Sequence, residues 1–404
     1  MLIKRSLFAF ASICISLCGG SQSTVRAGDW QTVDGRYLDR QEIRATVERL
    51  IEAHNVTGLG IGLISQGKVF SLETFGYRDI RKKAPLEVNT LMYGASLTKA
   101  TFAYYVMQLV DEGLIDLDKP ISAYLPKSLH EYEGYQDLEG DERWRRLTFR
   151  LLLTHQSGFA NWRFLPPEGG FDRTGKLKFF LNPGSRYAYS GEGFLLAQRV
   201  LEYGLGLNVK KEMQSRIFNK YGMKRTVLAI RGKPFKNQAN NYSLEGRNVG
   251  KMAFKDVNAA GSMQTTLSEW ATFLAAVVRG DGLSDRSKKE MIKTQIRIKS
   301  ARQFPTFSDQ TTSKYDSIAL GYGLGWGVFK SPYGEAFFKE GHDDGTANYS
   351  LCIEGKKTCI LLMSNSVRAE GIFKELVDTL LGDVGLPWEW EQYTPYDYPS
   401  SEVK

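Results

Sequence analysis

Tyr93-Gly94-Ala95-Ser96-Leu97-Thr98-Lys99-Ala100 is the stretch on which the reading of this chain turns. It sets a hydroxyl and an amine three residues apart at the head of a helical pattern. Apolar residues then recur at Ala100, Ala103, Val106, Met107 and Val110, and Gly113 closes the run. At 3.6 residues per turn Ser96 and Lys99 share a face, and the helix N-terminus brings unpaired N–H groups and positive dipole potential to the serine. An oxyanion is stabilised at such a place. Ser-x-x-Lys alone is a weak signal, because it recurs at Ser65–Lys68 in a Gln-Gly turn and at Ser401–Lys404 in the tail. The plainer reading of any single copy is a capping serine followed by a surface lysine.

Outward from this stretch, 404 residues allow two or three domains or one large two-part domain, and 42% hydrophobic with 24% charged residues is ordinary for a soluble globular enzyme. Lys4 and Arg5 precede an apolar run from Leu7 to Cys18, and Val25-Arg26-Ala27 offers a cleavage site before Gly28. Residues 1–27 therefore read as a secretory signal peptide, which predicts a periplasmic or secreted protein with no stable membrane span after its removal. Bulky Leu17 argues against a lipid anchor on Cys18. Removal of Lys4, Arg5 and Arg26 takes the net charge from +8 to +5, and the remaining cations are interleaved with acids. That distribution speaks against a nucleic-acid partner.

Asp39 to His54 carries an amphipathic helical pattern, and Leu59–Ile64 and Lys68–Phe75 flank Gln66-Gly67 as a hairpin. Helical patterns and polar loops then dominate to about residue 258. Strand signals return at Gly323–Phe329, Ala336–Phe338, Asn348–Ile353 and Cys359–Met363, before a last helix at Ile372–Leu381. The expectation is an α/β fold: one antiparallel sheet built from both ends of the chain, flanked by helices, with a mostly helical subdomain inserted. Its parts are 28–95 with 259–404 for the sheet and 96–258 for the helical insertion, with the site where they meet. Cys352 and Cys359 flank an apparent turn, and a two-residue turn at Gly355-Lys356 would set them opposite each other. They form a hairpin disulfide in an oxidising compartment or remain two free core thiols. One cysteine pair and dispersed histidines give no metal-site pattern.

Further segments follow in order: Leu117-Asp118-Lys119-Pro120 with Tyr124-Leu125-Pro126, Leu152-Leu153-Thr154-His155-Gln156-Ser157-Gly158, Asn182-Pro183-Gly184 leading to Tyr189-Ser190, and Tyr322-Gly323-Leu324-Gly325-Trp326-Gly327. With Ser96 and Lys99, these segments closely resemble the penicillin-recognising serine hydrolases, which include class C β-lactamases, D-Ala-D-Ala peptidases and related esterases. The resemblance runs from about residue 40 to 365. It implies a β-lactamase-like fold in which Ser96 is the nucleophile of an acyl-enzyme, Lys99 and Tyr189 share the base work, and no cofactor or metal is needed. An unassisted serine hydroxyl is a weak nucleophile, so some such partner is required. The resemblance leaves open whether Lys99 or Tyr189 is the base, and makes the His155 segment structural.

Two departures bear on substrate. The family commonly has an asparagine two residues after the tyrosine, where Gly191 stands here. Its Lys-Thr-Gly or His-x-Gly element maps onto His342-Asp343-Asp344, which sets an aspartate where glycine is usual and makes the N–H of Gly345 the candidate second oxyanion donor. The expectation is an exported serine hydrolase acting on an ester, peptide-like or β-lactam carbonyl, with a small-molecule or peptide-like substrate as partner. The alternative is a catalytically weak penicillin-binding or sensor protein that retains the pocket. Fold alone does not choose between them.

Overall fold

The structure is a computed structural model that describes residues 29–166 and 169–397. The proposed signal segment 1–27 and Ser401–Lys404 lie outside the described residues. Helix α1 (Arg40–Ala53) opens on a capping box, in which Asp39 accepts from the Glu42 N–H and the Glu42 side chain accepts from the Asp39 N–H. Strands β1 (Gly58–Ser65), β2 (Lys68–Asp79) and β3 (Ala84–Pro85) follow, then helices α2 (Leu97–Asp111), α3 (Gly191–Leu205) and α4 (Leu267–Arg279). Six strands complete the sheet: β4 (Ile296–Arg297), β5 (Gly321–Tyr322), β6 (Gly327–Ser331), β7 (Gly334–Asp343), β8 (Thr346–Ile353) and β9 (Thr358–Ser364). Helix α5 (Glu370–Leu380) lies after them.

The nine strands form one antiparallel sheet in the order β4-β5-β6-β7-β8-β9-β1-β2-β3. The join between the two ends of the chain is the β9–β1 pairing, from Cys359 opposite Ile64 to Ser364 opposite Leu59. Both faces are covered, which explains why β1 is buried along nearly its whole length. Leu59, Ile61 and Leu63 pack with Val47, Leu50, Leu376 and Leu380 of α1 and α5. Between them, Gly60 and Gly62 face α4, where an added Cβ would meet Leu267 at 3.0 Å and Ala271 at 3.4 Å. The alternation of leucine or isoleucine with glycine thus gives one apolar face and one close-approach face.

Three expectations change. Helix α2 is buried on every side from Leu97 to Leu109 rather than along one stripe, because it runs through the larger apolar core between sheet and helices. The strand expected at Ala336–Phe338 extends to Gly334–Asp343, and that at Gly323–Phe329 starts at Gly327 after a turn. The β8–β9 connection spans Glu354–Lys357 rather than two residues, yet the register still sets Cys352 opposite Cys359, and a disulfide joins them.

Candidate active site

Ser96 is the residue just before α2, and Ala95 ahead of it has φ +44°, a left-handed backbone that alanine seldom adopts. This turn leaves Ser96 partly exposed while its neighbours are buried. The N–H groups of Leu97, Thr98 and Lys99 donate to Gly94, Ala95 and Ser96. The Ser96 N–H has no partner among the described residues, so it is free to face a ligand.

Lys99 is 1% exposed, with Nζ 3.1 Å from Ser96 Oγ and donating to the Ala260 carbonyl at 2.7 Å. Burial, reinforced by the charge on Lys339, holds its pKa well below that of an ordinary lysine, while Glu340 works the other way. Burial thus shifts Lys99 toward the neutral amine, and a neutral amine beside a hydroxyl is a base. Tyr189 reaches the same place from the extended segment before α3. Its successor Ser190 caps that helix by accepting from the Gly193 N–H at 3.0 Å. Burial and the Glu340 charge push the Tyr189 pKa well above 10, against the opposing effect of its hydrogen bond with Ser96. The shifts therefore run toward amine at Lys99 and phenol at Tyr189.

His155 stacks on Tyr189 with ring centroids 4.1 Å apart. Its Nδ1 accepts from the Ser190 N–H at 3.0 Å, which leaves Nε2–H to donate to the Tyr322 hydroxyl at 3.2 Å. Burial keeps the imidazole neutral. His155 thus supports Tyr189 from behind, in the structural place given to its segment by the resemblance.

A cation-x-glycine triplet lies on β7 just before His342. Lys339, fully buried on β7, donates to the Tyr189 hydroxyl at 3.2 Å and pairs with Glu340 at 2.6 Å. Two residues on, a Cβ at Gly341 would lie 2.6 Å from the Gly94 carbonyl, so only glycine fits beside the Ser96 turn. Lys339-Glu340-Gly341 therefore has the cation-x-glycine pattern expected at His342-Asp343-Asp344, three residues earlier. Asp344 lies in the turn between β7 and β8, against a neighbouring groove with Ser243 and Arg247. The Gly345 N–H donates to Asp343 Oδ1 at 3.0 Å and is not free for an oxyanion.

Strand phase names another donor. With Asp344-Gly345 as a two-residue turn, Asp343 and Thr346 are a mutually hydrogen-bonded pair, and His342 opposite Ala347 is out of phase. The His342 N–H then points to the edge of β7, which is open beyond the last pairing with β6 at Phe338. Its half-exposed ring pairs with Glu370. Burial disfavours the imidazolium, but the Glu370 carboxylate outweighs this and raises the pKa.

Gly191 also has a local reason. Its N–H donates to the Asn161 carbonyl and to Asn161 Oδ1, each at 3.0 Å, and an added Cβ would lie 2.9 Å from both the Asn161 oxygen and the Trp162 ring. The Asn161-Trp162 loop occupies the space that a side chain at 191 would need. Asn161, which sequence reasoning missed, brings a side-chain amide to the cleft. The cleft measures about 190 Å³, and Ser96, Lys99, Tyr189, Asn161 and His342 share its lining. Phe304, from the Arg297–Asp316 loop, closes one side. A larger cavity of 570 Å³ lies at the far end of α2, where Arg150 is paired with Asp118 and Glu290 and the Ser287 hydroxyl donates to Asp111 at 2.6 Å.

A protein-family model described as Beta-lactamase matches residues 43–379. Penicillin-binding protein 4* of Bacillus subtilis (strain 168) is 23% identical over 402 residues, covering 89% of this chain and 78% of that protein. A β-lactamase of Escherichia coli (strain K12) is 23% identical over 312 residues, covering 76% of this chain and 74% of its own length. Among solved structures, the octameric penicillin-binding protein homologue from Pyrococcus abyssi superposes with a TM-score of 0.67 at 22% identity, over 85% of this chain and 78% of that one.

Proposed function

The chain belongs to the β-lactamase family of serine hydrolases, and on that premise we propose that Ser96 forms an acyl-enzyme with an ester, peptide-like or β-lactam carbonyl. The observation that carries this reading is the 3.1 Å approach of the buried Lys99 amine to Ser96 Oγ at a helix N-terminus. Lys99 takes the Ser96 proton as Oγ attacks the carbonyl carbon. The N–H groups of Ser96 and His342 receive the oxyanion, each such donor contributing about 3 kcal/mol in comparable sites. The leaving group departs with a proton delivered through Tyr189, and the acyl group stays on Ser96 as an ester. A water then adds to that ester, giving its proton back through the same groups, and releases the acid.

Asn161 supplies the amide missing at Gly191. Its Oδ1 is fixed by the Gly191 N–H, and Nδ2, with no partner among the described residues, is the donor left for the acyl side of the substrate. We also propose that the protein is exported. The segment 1–27 and the disulfide support this reading, and the N-terminal sequence of the mature protein tests it.

The test of the acyl-enzyme is a labelled fluorophosphonate or penicillin, followed by peptide mass spectrometry. An adduct on Ser96, absent in Ser96→Ala, is expected. No adduct with either reagent refutes the enzyme reading and leaves a binding or sensor protein.

A further inference from the structure

We propose that the Ser96 cleft selects acyl donors whose acyl chain ends in a cation, an ammonium or quaternary amine, over those whose acyl chain ends in a carboxylate; this rests on the acyl-enzyme reading of Ser96. Two cationic side chains at the cleft are already paired with carboxylates. Lys339 is paired with Glu340 at 2.6 Å, and the His342 ring is paired with Glu370. Lys99 is held toward the neutral amine by burial, and no arginine is among the residues that line the cleft.

The anions are not all matched in return. Asp343 lines the cleft, and its Oδ1 is bound by the Gly345 N–H rather than by a cation. Glu340 lines it too, with a side chain only 9% exposed and an Oε2 that has no hydrogen-bond partner among the described residues. The remaining walls include Tyr93, Trp162, Tyr189 and Phe304. Carboxylates combined with aromatic faces are the chemistry that holds an alkylammonium group, because the ring quadrupole attracts the cation while the carboxylate supplies the opposite charge. A substrate carboxylate entering the same space loses hydration and meets Asp343 and Glu340, while Lys339 and His342 are already paired with their own carboxylates.

The test uses p-nitrophenyl esters whose acyl chains have equal length and end in trimethylammonium, tert-butyl or carboxylate. The first two are nearly isosteric. In the full-length protein, kcat/KM for the cationic ester is expected about tenfold above the neutral one, and the carboxylate ester about tenfold below it, the scale of one charge-assisted contact. Asp343→Asn and Glu340→Gln each lower the cation-to-carboxylate ratio, Glu340→Gln more so because it leaves Lys339 uncompensated. Asp343→Asn changes only a partly exposed turn-flanking side chain, so the second arm does not depend on the buried pair surviving substitution. A flat series in the unmodified protein, a preference for the carboxylate ester, or a ratio unmoved in both variants overturns the proposal. Fluorophosphonate labelling of the same preparations separates the two failures. A labelled Ser96 with a flat series refutes charge selection alone, whereas no label and no turnover refute the acyl-enzyme and charge selection together.

Discussion

Replacing Gly191 with asparagine restores the residue usual in the family, and the structure predicts a loss of stability and activity rather than a gain. The Cβ of any side chain at 191 would stand 2.9 Å from the Asn161 carbonyl oxygen and 2.9 Å from the Trp162 ring. The first of these is backbone, so the loop itself must move. Overpacking of this kind costs about 1–3 kcal/mol. The substitution recovers about 0.4–1 kcal/mol by restricting the unfolded chain, since Gly191 has no left-handed φ that forbids a side chain. The net expectation for Gly191→Ala is a loss of about 1–2 kcal/mol. Gly191→Asn loses more, because it adds a polar group where Asn161 already sits.

Displacing Asn161 and Trp162 also withdraws two cleft residues, so ester kcat/KM falls at least about tenfold, the loss of one oriented contact. Denaturant unfolding and p-nitrophenyl ester turnover read the two effects, and Asn161→Ala is the comparison that loses the amide without the clash. A Gly191→Asn protein as stable as the parent and more active would refute the reasoning, because it would show that the loop does not occupy the space.

Lys99→Ala and Tyr189→Phe each reduce ester turnover at least about a hundredfold, as expected for loss of acid–base assistance; near-parental turnover in either would remove that residue from the mechanism. Lys99 must be unprotonated to act, so kcat/KM falls as pH drops through an apparent pKa well below the usual 10.5. A pH profile should keep that acid limb in Tyr189→Phe and lose it in Lys99→Ala. Lys339→Met leaves the Glu340 carboxylate buried without its ammonium and destabilises the protein by about 3–5 kcal/mol, whereas Lys339→Met with Glu340→Met costs much less, as urea unfolding would measure. Opening Cys352–Cys359 by Cys352→Ser removes a short cross-link worth about 2 kcal/mol, visible as a lower Tm than that of the oxidised parent.

Local patterns made much of the architecture legible. The amphipathic pattern from Asp39 to His54 announced α1, and the β1–β2 hairpin was legible in the two runs flanking Gln66-Gly67. The helix after Ser96 was visible in the spacing from Ala100 to Val110, but its burial on all sides depends on the sheet beneath it. The placement of Lys339 shows the limit. A lysine two residues after Phe337 and one after Phe338 carried a signal, since a strand so apolar seldom takes an unpaired charge. His342 resembles the family element more directly in sequence, whereas Lys339 and Gly341 are brought to Tyr189 and the Ser96 turn by packing. Strand phase, not composition, distinguishes the His342 N–H from that of Gly345. Asn161 had no signature, because its role follows from a loop folding against α3 rather than from spacing to Ser96.

The β9–β1 pairing has a consequence for biogenesis. The ribosome delivers Ser96 and Lys99 early, but Gly341 and the open edge of β7 come more than two hundred residues later, and the strand that closes the sheet ends at Ser364. Until that strand arrives, β1 has an unpaired edge and the Ser96 turn has nothing opposite it. The cleft is therefore completed in one late event, and a chain truncated before Ser364 contains Ser96 and Lys99 without the sheet that closes around them. Closure over so long a span makes folding slow and leaves β1 exposed to aggregation in the interval, a burden that falls on whatever escorts the chain before it is complete.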